Sequence, residues 1–313
     1  GLRSEKLYYR PKKEREPIDF LSKKKVFFTI SLVLIAAGVI TIGVNAGRGN
    51  GAFAYSLEFQ GGTSTNVTFD KDYSIDEIDK EIVPVVEKVT GDNNVQTQKV
   101  AGTNQVIIKT VTLDLDKREA LNKAMVDNFG VDESKITAEN ISSTVSNEMR
   151  RDAVIAVVIA TICMLLYIWF RFKDIRFATS AVLALLHDVL VVVGFYAIAR
   201  ISVGNTFIAC MLTIVGYSIN ATIVIFDRIR EEMRGKTKSS DVAAVVNKSI
   251  TQTLTRSIYT SLTTFIMVAV LYVMGVSSIK EFALPLMVGV VCGAYSSVCI
   301  TGALWYVMKR FKK

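Results

Sequence analysis

GYSINATIVIFDRIRE, residues 216–231, closes a hydrophobic run that begins near Asn205. Glycine, serine and asparagine therefore fall inside an apparent membrane helix, which stops abruptly at Asp-Arg-Ile-Arg-Glu. Polar groups in hydrocarbon are costly without partners, so they face a bundle interior or a water-filled path. Helical spacing puts Thr213, Gly216, Asn220 and Asp227 on one stripe, a candidate working face. The plainer reading of the stripe is helix packing, with Gly216 allowing close approach and Asn220 bonding across to a neighbour.

Working outward from that run, half of the 313 residues are hydrophobic and only four are proline, so the chain is not disordered. Its basic excess is unevenly placed. Residues 45–152 carry 12 Lys+Arg against 18 Asp+Glu, leaving 25 against 11 in the remainder. Positive charge gathers beside the apolar runs, as the positive-inside bias predicts, and not on a soluble unit as a nucleic-acid binder would carry it. Cys163, Cys210, Cys292 and Cys299 all lie in apolar runs with spacing that suits neither zinc nor a disulfide framework. They read as small buried hydrophobes. One histidine, His187, leaves little scope for a histidine-rich metal site, and no metal is expected.

In chain order, residues 1–25 form a basic tail ending in Lys23-Lys24-Lys25, directly before a first span at 26–44, which places the N-terminus in the cytoplasm. No cleavable signal peptide is evident in that span. Residues 45–152 then lie outside and read as a compact α+β domain. Tyr55–Phe69 is strand-like with a glycine pair at Gly61-Gly62, for which a structural role outweighs a binding one. Ser74–Val89 has helical spacing, with Ser74 and Glu77 as a capping box, and breaks at Gly91-Asp92. Val95–Ala101 and Gln105–Leu113 make a hairpin, Asp116–Phe129 is a helix ending at Gly130, and Ile136–Val145 is a last strand. The order β-α-β-β-α-β predicts a ferredoxin-like domain. Residues 153–308 hold five more spans, about Ala153–Phe170, Ala178–Ala199, Asn205–Phe226, Ile258–Met274 and Ala283–Met308. The tail 309–313 is basic, so both termini are cytoplasmic, and the loops at 171–177 and 227–257 lie on the same side.

His187-Asp188, near the middle of the third span, holds the only mid-membrane acid and the only histidine. Two roles stay open: a proton relay, or a structural pair tying the third span to the fourth. Gly289-x-x-x-Gly293 with Ser296-Ser297 gives the last span a small-residue packing face. Asp227, Arg228 and Arg230 anchor the fourth span at the cytoplasmic surface.

LEFQGGT at Leu57–Thr63, LLHDV at Leu185–Val189, VGYSIN…DRIRE at Val215–Glu231 and TQTLTRSIYTSLTT at Thr251–Thr264 resemble the SecD/SecF family of bacterial protein-export membrane proteins. So does the final run around Gly289–Ser297, and the resemblance covers the chain from about Pro17 to its end. It implies a six-helix half-bundle of the resistance–nodulation–division type in the bacterial cell membrane. The implied partners are a SecD half, separate or fused upstream of Gly1, the SecYEG channel, the translocating preprotein and membrane lipid, with no nucleic acid. The implied task is coupling an ion gradient to late export. No cofactor is implied beyond the carried proton or sodium ion. By resemblance Arg256, aligned with Tyr259, Thr260, Thr263 and Thr264, holds an intramembrane carboxylate in its charged form, or else snorkels to the interface. Asn220 is a neutral hydrogen-bonding member of the same path. One departure stands out: many family members have aspartate where this chain has Ala221, and a methyl group carries no proton. A non-conducting scaffold for SecD, and an exporter of lipids or small molecules in the same superfamily, are the alternatives. The chain is not read as an enzyme, since it has no HExxH, no GxSxG and no close acid pair within its spans.

Overall fold

The computed structural model describes residues 16–48, 51–93, 95–100, 102–172, 174–234, 242–275 and 277–310. Of the basic tails expected at 1–25 and 309–313, residues 1–15 and 311–313 lie outside them.

The segment before the first span is strapped to a distant helix. The Ile18 N–H donates to Thr251 Oγ1 at 2.9 Å, and those of Phe20 and Leu21 donate to Asn247 Oδ1 at 3.2 Å. Asn247 Nδ2 donates back to Asp19 Oδ1 at 2.8 Å. Helix α1 (Lys24–Gly47) then runs to the far side. There Ala54–Tyr55 (β1) is followed by a one-turn helix, α2 (Leu57–Gln60). The long strand expected over Tyr55–Phe69 is thus interrupted, and only Gly62–Thr68 (β2) remains. Phe59 is the cause: its side chain is buried against the bundle among Val192, Tyr196 and Val203, and a helical turn delivers it there. The glycine pair makes the switch from helix to strand. Gly61 has φ +74° and Gly62 φ +127°, and a Cβ on Gly62 would lie 2.2 Å from the Thr110 carbonyl oxygen.

Ser74 and Glu77 form the capping box that starts α3 (Ile75–Glu77), which continues through a π turn, Ile78–Ile82, into α4 (Val83–Thr90). β3 (Gln96–Lys99), β4 (Gln105–Thr110), α5 (Leu115–Phe129) and β5 (Ile136–Ile141) complete the unit. All pairings are antiparallel, in the order β3-β4-β2-β5. Val67, Ile82, Val86, Ile108, Leu121 and Met125 form its core, each fully buried.

β5 stops at Ile141, short of the expected Val145, and α6 (Ser143–Phe172) begins at once instead of at Ala153. Next come α7 (Ile175–Ala199), a two-residue strand β6 (Ser202–Val203) parallel to β1, and α8 (Asn205–Met233). α9 (Val242–Met274) starts far ahead of the expected Ile258. Its added turns bury Val242, Val245, Val246 and Ile250 against the protein, so they escape a search for lipid-facing hydropathy. α10 (Ser277–Ser296), a π turn (Ser297–Thr301) and α11 (Gly302–Arg310) form the last span. Among the described residues six helical stretches are long and apolar enough to cross a membrane. The third and sixth are the most enclosed, and the first two are largely open. α1 crosses α7 where Gly38 meets Gly194: a Cβ on Gly38 would lie 2.7 Å from the Gly194 Cα.

Candidate functional site: a buried carboxylate between three spans

α7 carries Asp188 into the middle of the bundle, where it is fully buried. Helices α8 and α10 close over it because Gly289 lets them touch; a Cβ there would sit 2.4 Å from Ile214 Cδ1. A Cβ on Gly293 would lie 3.5 Å from Ser218 Cβ and from Tyr217 Cδ1, an ordinary contact. With the helices this close, Ser218 of α8 donates its hydroxyl to Asp188 Oδ2 at 2.5 Å, and Ser296 of α10 donates to the same oxygen at 2.7 Å. Cys292 Sγ donates to Oδ1 at 3.3 Å. His187 Nδ1 lies 2.9 Å from Asp188 Oδ1, within hydrogen-bond distance, although the two side chains leave the helix about 100° apart. A charge taken out of water needs such partners. The cluster ties the third span to both the fourth and the sixth, beyond the third-to-fourth pair expected.

His187 Nε2 is buried and makes no hydrogen bond among the described residues, while Nδ1 is engaged. One end of the ring thus meets the carboxylate and the other is left without a partner among the described residues. Immediately beyond Ser296 the helix widens into its π turn, and the Thr301 hydroxyl donates to the Ser296 carbonyl at 3.1 Å. Such irregular turns recur at working sites in helices. His187 Nδ1, an Asp188 oxygen and Cys292 Sγ lie within 4.8 Å of one another, a grouping of metal-ligand type that the cysteine and histidine counts did not suggest. Here they serve one another as hydrogen-bond partners. Cys292, read as an inert hydrophobe, is a buried donor to the acid.

The other candidates stand elsewhere. Asn220 is exposed on α8, as are Thr213 and Gly216, and Asn220 has no side-chain hydrogen bond among the described residues. A Cβ on Gly216 would meet nothing within 4 Å. Contrary to the packing role expected of it, Gly216 thus faces no neighbouring helix among the described residues, while Gly289 and Gly293 lie against α8. Arg256 is exposed on α9 and pairs with no carboxylate among the described residues; the Thr260 hydroxyl donates to its backbone carbonyl. Asp188 and Arg256 are thus not partners. At the strap end of the bundle, Asp227 accepts from Arg171 Nη2 at 2.8 Å, joining α8 to α6. Arg228 reaches Gln252 Oε1 at 2.6 Å, Glu231 at 2.6 Å and Glu232 at 3.0 Å, joining α8 to α9. Arg230 is exposed. Ser218 was visible in the sequence as the serine of GYSIN and Ser296 as a small residue near Gly293. Only their shared oxygen acceptor was hidden.

Six candidate spans around a buried acid, with one small α+β unit inserted after the first, define a multi-pass helical membrane protein. Residues 121–311 match the family described as "Protein export membrane protein SecD/SecF, C-terminal". The chain is 36% identical over 303 residues to the protein translocase subunit SecF of Petrotoga mobilis, covering 95% of this chain and 98% of that one. It is also 36% identical to the translocase subunit SecDF of Bacillus subtilis, of which it spans 38%. The crystal structure of SecDF from Thermus thermophilus superposes with a TM-score of 0.78 at 31% identity, covering 94% of this chain and 39% of that one. The chain belongs to the SecD/SecF protein-export family.

Proposed function

We propose that this chain is the SecF-type accessory subunit of the bacterial Sec translocase, pairing with a SecD half to couple an ion gradient to late steps of export. The observation that carries the reading is an open polar face in hydrocarbon. Thr213, Gly216 and Asn220 of α8 and Arg256 of α9 are exposed, and this chain offers the Arg256 guanidinium no acid among the described residues. A cation and an amide cannot be left facing lipid without cost, so a second helical half with a carboxylate of its own covers them. The SecDF relatives, in which one chain is more than twice as long as this one, supply the precedent for that half.

In this reading both termini lie in the cytoplasm, consistent with the basic ends and with the strap, the Arg171–Asp227 pair and the Arg228 cluster all lying at one end of the bundle. The α+β unit is then a ferredoxin-like extracytoplasmic domain, its sheet order consistent with that class. The SecYEG channel and the preprotein are the further partners. The Asp188–His187 pair exchanges a proton, while Ser218 and Ser296 hold the carboxylate on the bundle axis. Arg256 acts on the partner's acid.

Ala221 favours a second reading, a non-conducting scaffold, because the fourth span lacks a carboxylate next to Asn220. One experiment separates the two. Vesicles lacking SecD and SecF receive the matching SecD with wild-type, Arg256→Ala or Asp188→Asn chain, and SecA is inactivated midway through a trapped precursor. Gradient-driven completion lost in either variant supports coupling. Completion that needs the chain but ignores both variants means a scaffold, and completion without the chain defeats both readings.

A further inference from the structure

The end of the bundle that carries the strap also carries a basic cleft unrelated to the buried acid. Lys24 opens the first span and Arg310 closes the sixth, and both line a cleft of about 430 Å³ with Tyr306 and Val307. The Lys24 Nζ stands 5.1 Å from the Tyr306 ring centroid, which fixes the ammonium over an aromatic face. Behind it, Lys309 Nζ lies 4.8 Å from the Trp305 ring centroid. Among the described residues no carboxylate pairs with Lys24 or Arg310, and Asp174, at the start of α7, is paired with Arg176 at 3.5 Å. Two cations are thus held apart over an apolar wall where the helices leave the hydrocarbon.

We propose that this cleft binds the phosphodiester headgroup of an anionic phospholipid, with its acyl chain lying along the wall at Val307. Two observations select lipid over a free phosphate. The cleft lies where one span begins and another ends, at headgroup depth, and its lining beyond the two cations is aromatic and aliphatic. Basic pockets between spans are the arrangement that retains such lipids. The bound lipid adds a further link between the first span and the last, beside their Lys24–Tyr306 and Phe27–Tyr295 contacts.

The test is a titration of the detergent-purified full chain with phosphatidylglycerol, read as lipid-bound species by native mass spectrometry. Lys24→Gln with Arg310→Gln should weaken binding about 5-fold per cation, roughly 25-fold together. Lys23→Gln with Lys25→Gln removes the same charge from exposed neighbours and should change it by no more than about 2-fold. Equal losses in both pairs, or none in the first, overturn the proposal. Displacement of the lipid by millimolar inorganic phosphate overturns the lipid assignment, and a monodisperse elution profile for each variant excludes misfolding as the cause.

Discussion

Gly289 and Gly216 are both glycines of long membrane helices, yet the structure predicts opposite outcomes for the same substitution. In Gly289→Ala the new methyl would fall 2.4 Å from Ile214 Cδ1 and 2.5 Å from Cγ1, where about 3.5–4.0 Å is comfortable. The gap must open by about 1 Å. Ile214 is fully buried and β-branched, so it has little rotamer freedom to swing aside. α10 must then back away from α8, and overpacking of this kind costs about 1–3 kcal/mol. At Gly216 a Cβ meets nothing, and relief of the glycine penalty in a helix stabilises by up to about 1 kcal/mol. The assay is reversible unfolding of the purified chain in mixed micelles with increasing SDS, for both single variants, Ile214→Ala and the Gly289→Ala/Ile214→Ala pair. Ile214→Ala alone costs about 2–5 kcal/mol by leaving a cavity. In the pair the new methyl enters that cavity, so the double variant should be more stable than the sum of the singles by on the order of 1–2 kcal/mol. Additivity within about 0.5 kcal/mol, or a neutral Gly289→Ala, would refute the close crossing of α8 and α10. In export assays the order should invert for Gly216→Ala, which is harmless to the isolated chain but disturbs the face offered to the partner.

Ser218→Ala and Ser296→Ala should each destabilise by about 0.5–1.5 kcal/mol, the membrane range and not the larger aqueous one, and should be non-additive because both hydroxyls donate to one oxygen of Asp188. The same SDS titration checks this, with Asp188→Asn as the third corner. Asn247→Ala removes the acceptor of two backbone N–H groups and should raise hydrogen exchange at residues 18–22 while leaving the amides around Asp227 unchanged. Outside the membrane, the Ser74 backbone N–H first and then the Lys71 ammonium hold the Glu77 carboxyl down to about 2 from its ordinary 4.5. A depressed carboxylate stabilises the fold above its unfolded value and loses that effect as pH falls through its folded one. Exchange protection over Ser74–Thr90 should therefore fall in wild type relative to Glu77→Gln as pH drops from about 4.5 toward 2. Parallel profiles would show that the capping box is not coupled to the helix.

The sequence alone determined whatever depends on local chemistry or on burial in lipid. Long apolar runs flanked by lysine and arginine marked the spans, because crossing hydrocarbon takes about 20 predominantly apolar residues. Ser74 with Glu77 marked a helix start, and Gly91 and Gly130 marked helix ends, because capping is settled within a few residues. The βαββαβ order followed from the change of hydrophobic period. What failed were positions where a distant surface sets the environment. Leu57–Gln60 is helical because Phe59 must reach the bundle. α9 runs on to Val242 because those turns are buried against protein, though their spacing at 242, 245, 246 and 250 was a readable signal. Only the tertiary structure decided that Asp188 of α7 would be shared by Ser218 of α8 and by Cys292 and Ser296 of α10, since the approach of α8 and α10 depends on a glycine. It also decided that Gly289 is a contact and Gly216 an open surface. A lone glycine specifies the absence of a side chain, and its consequence depends on which helix, if any, lies opposite.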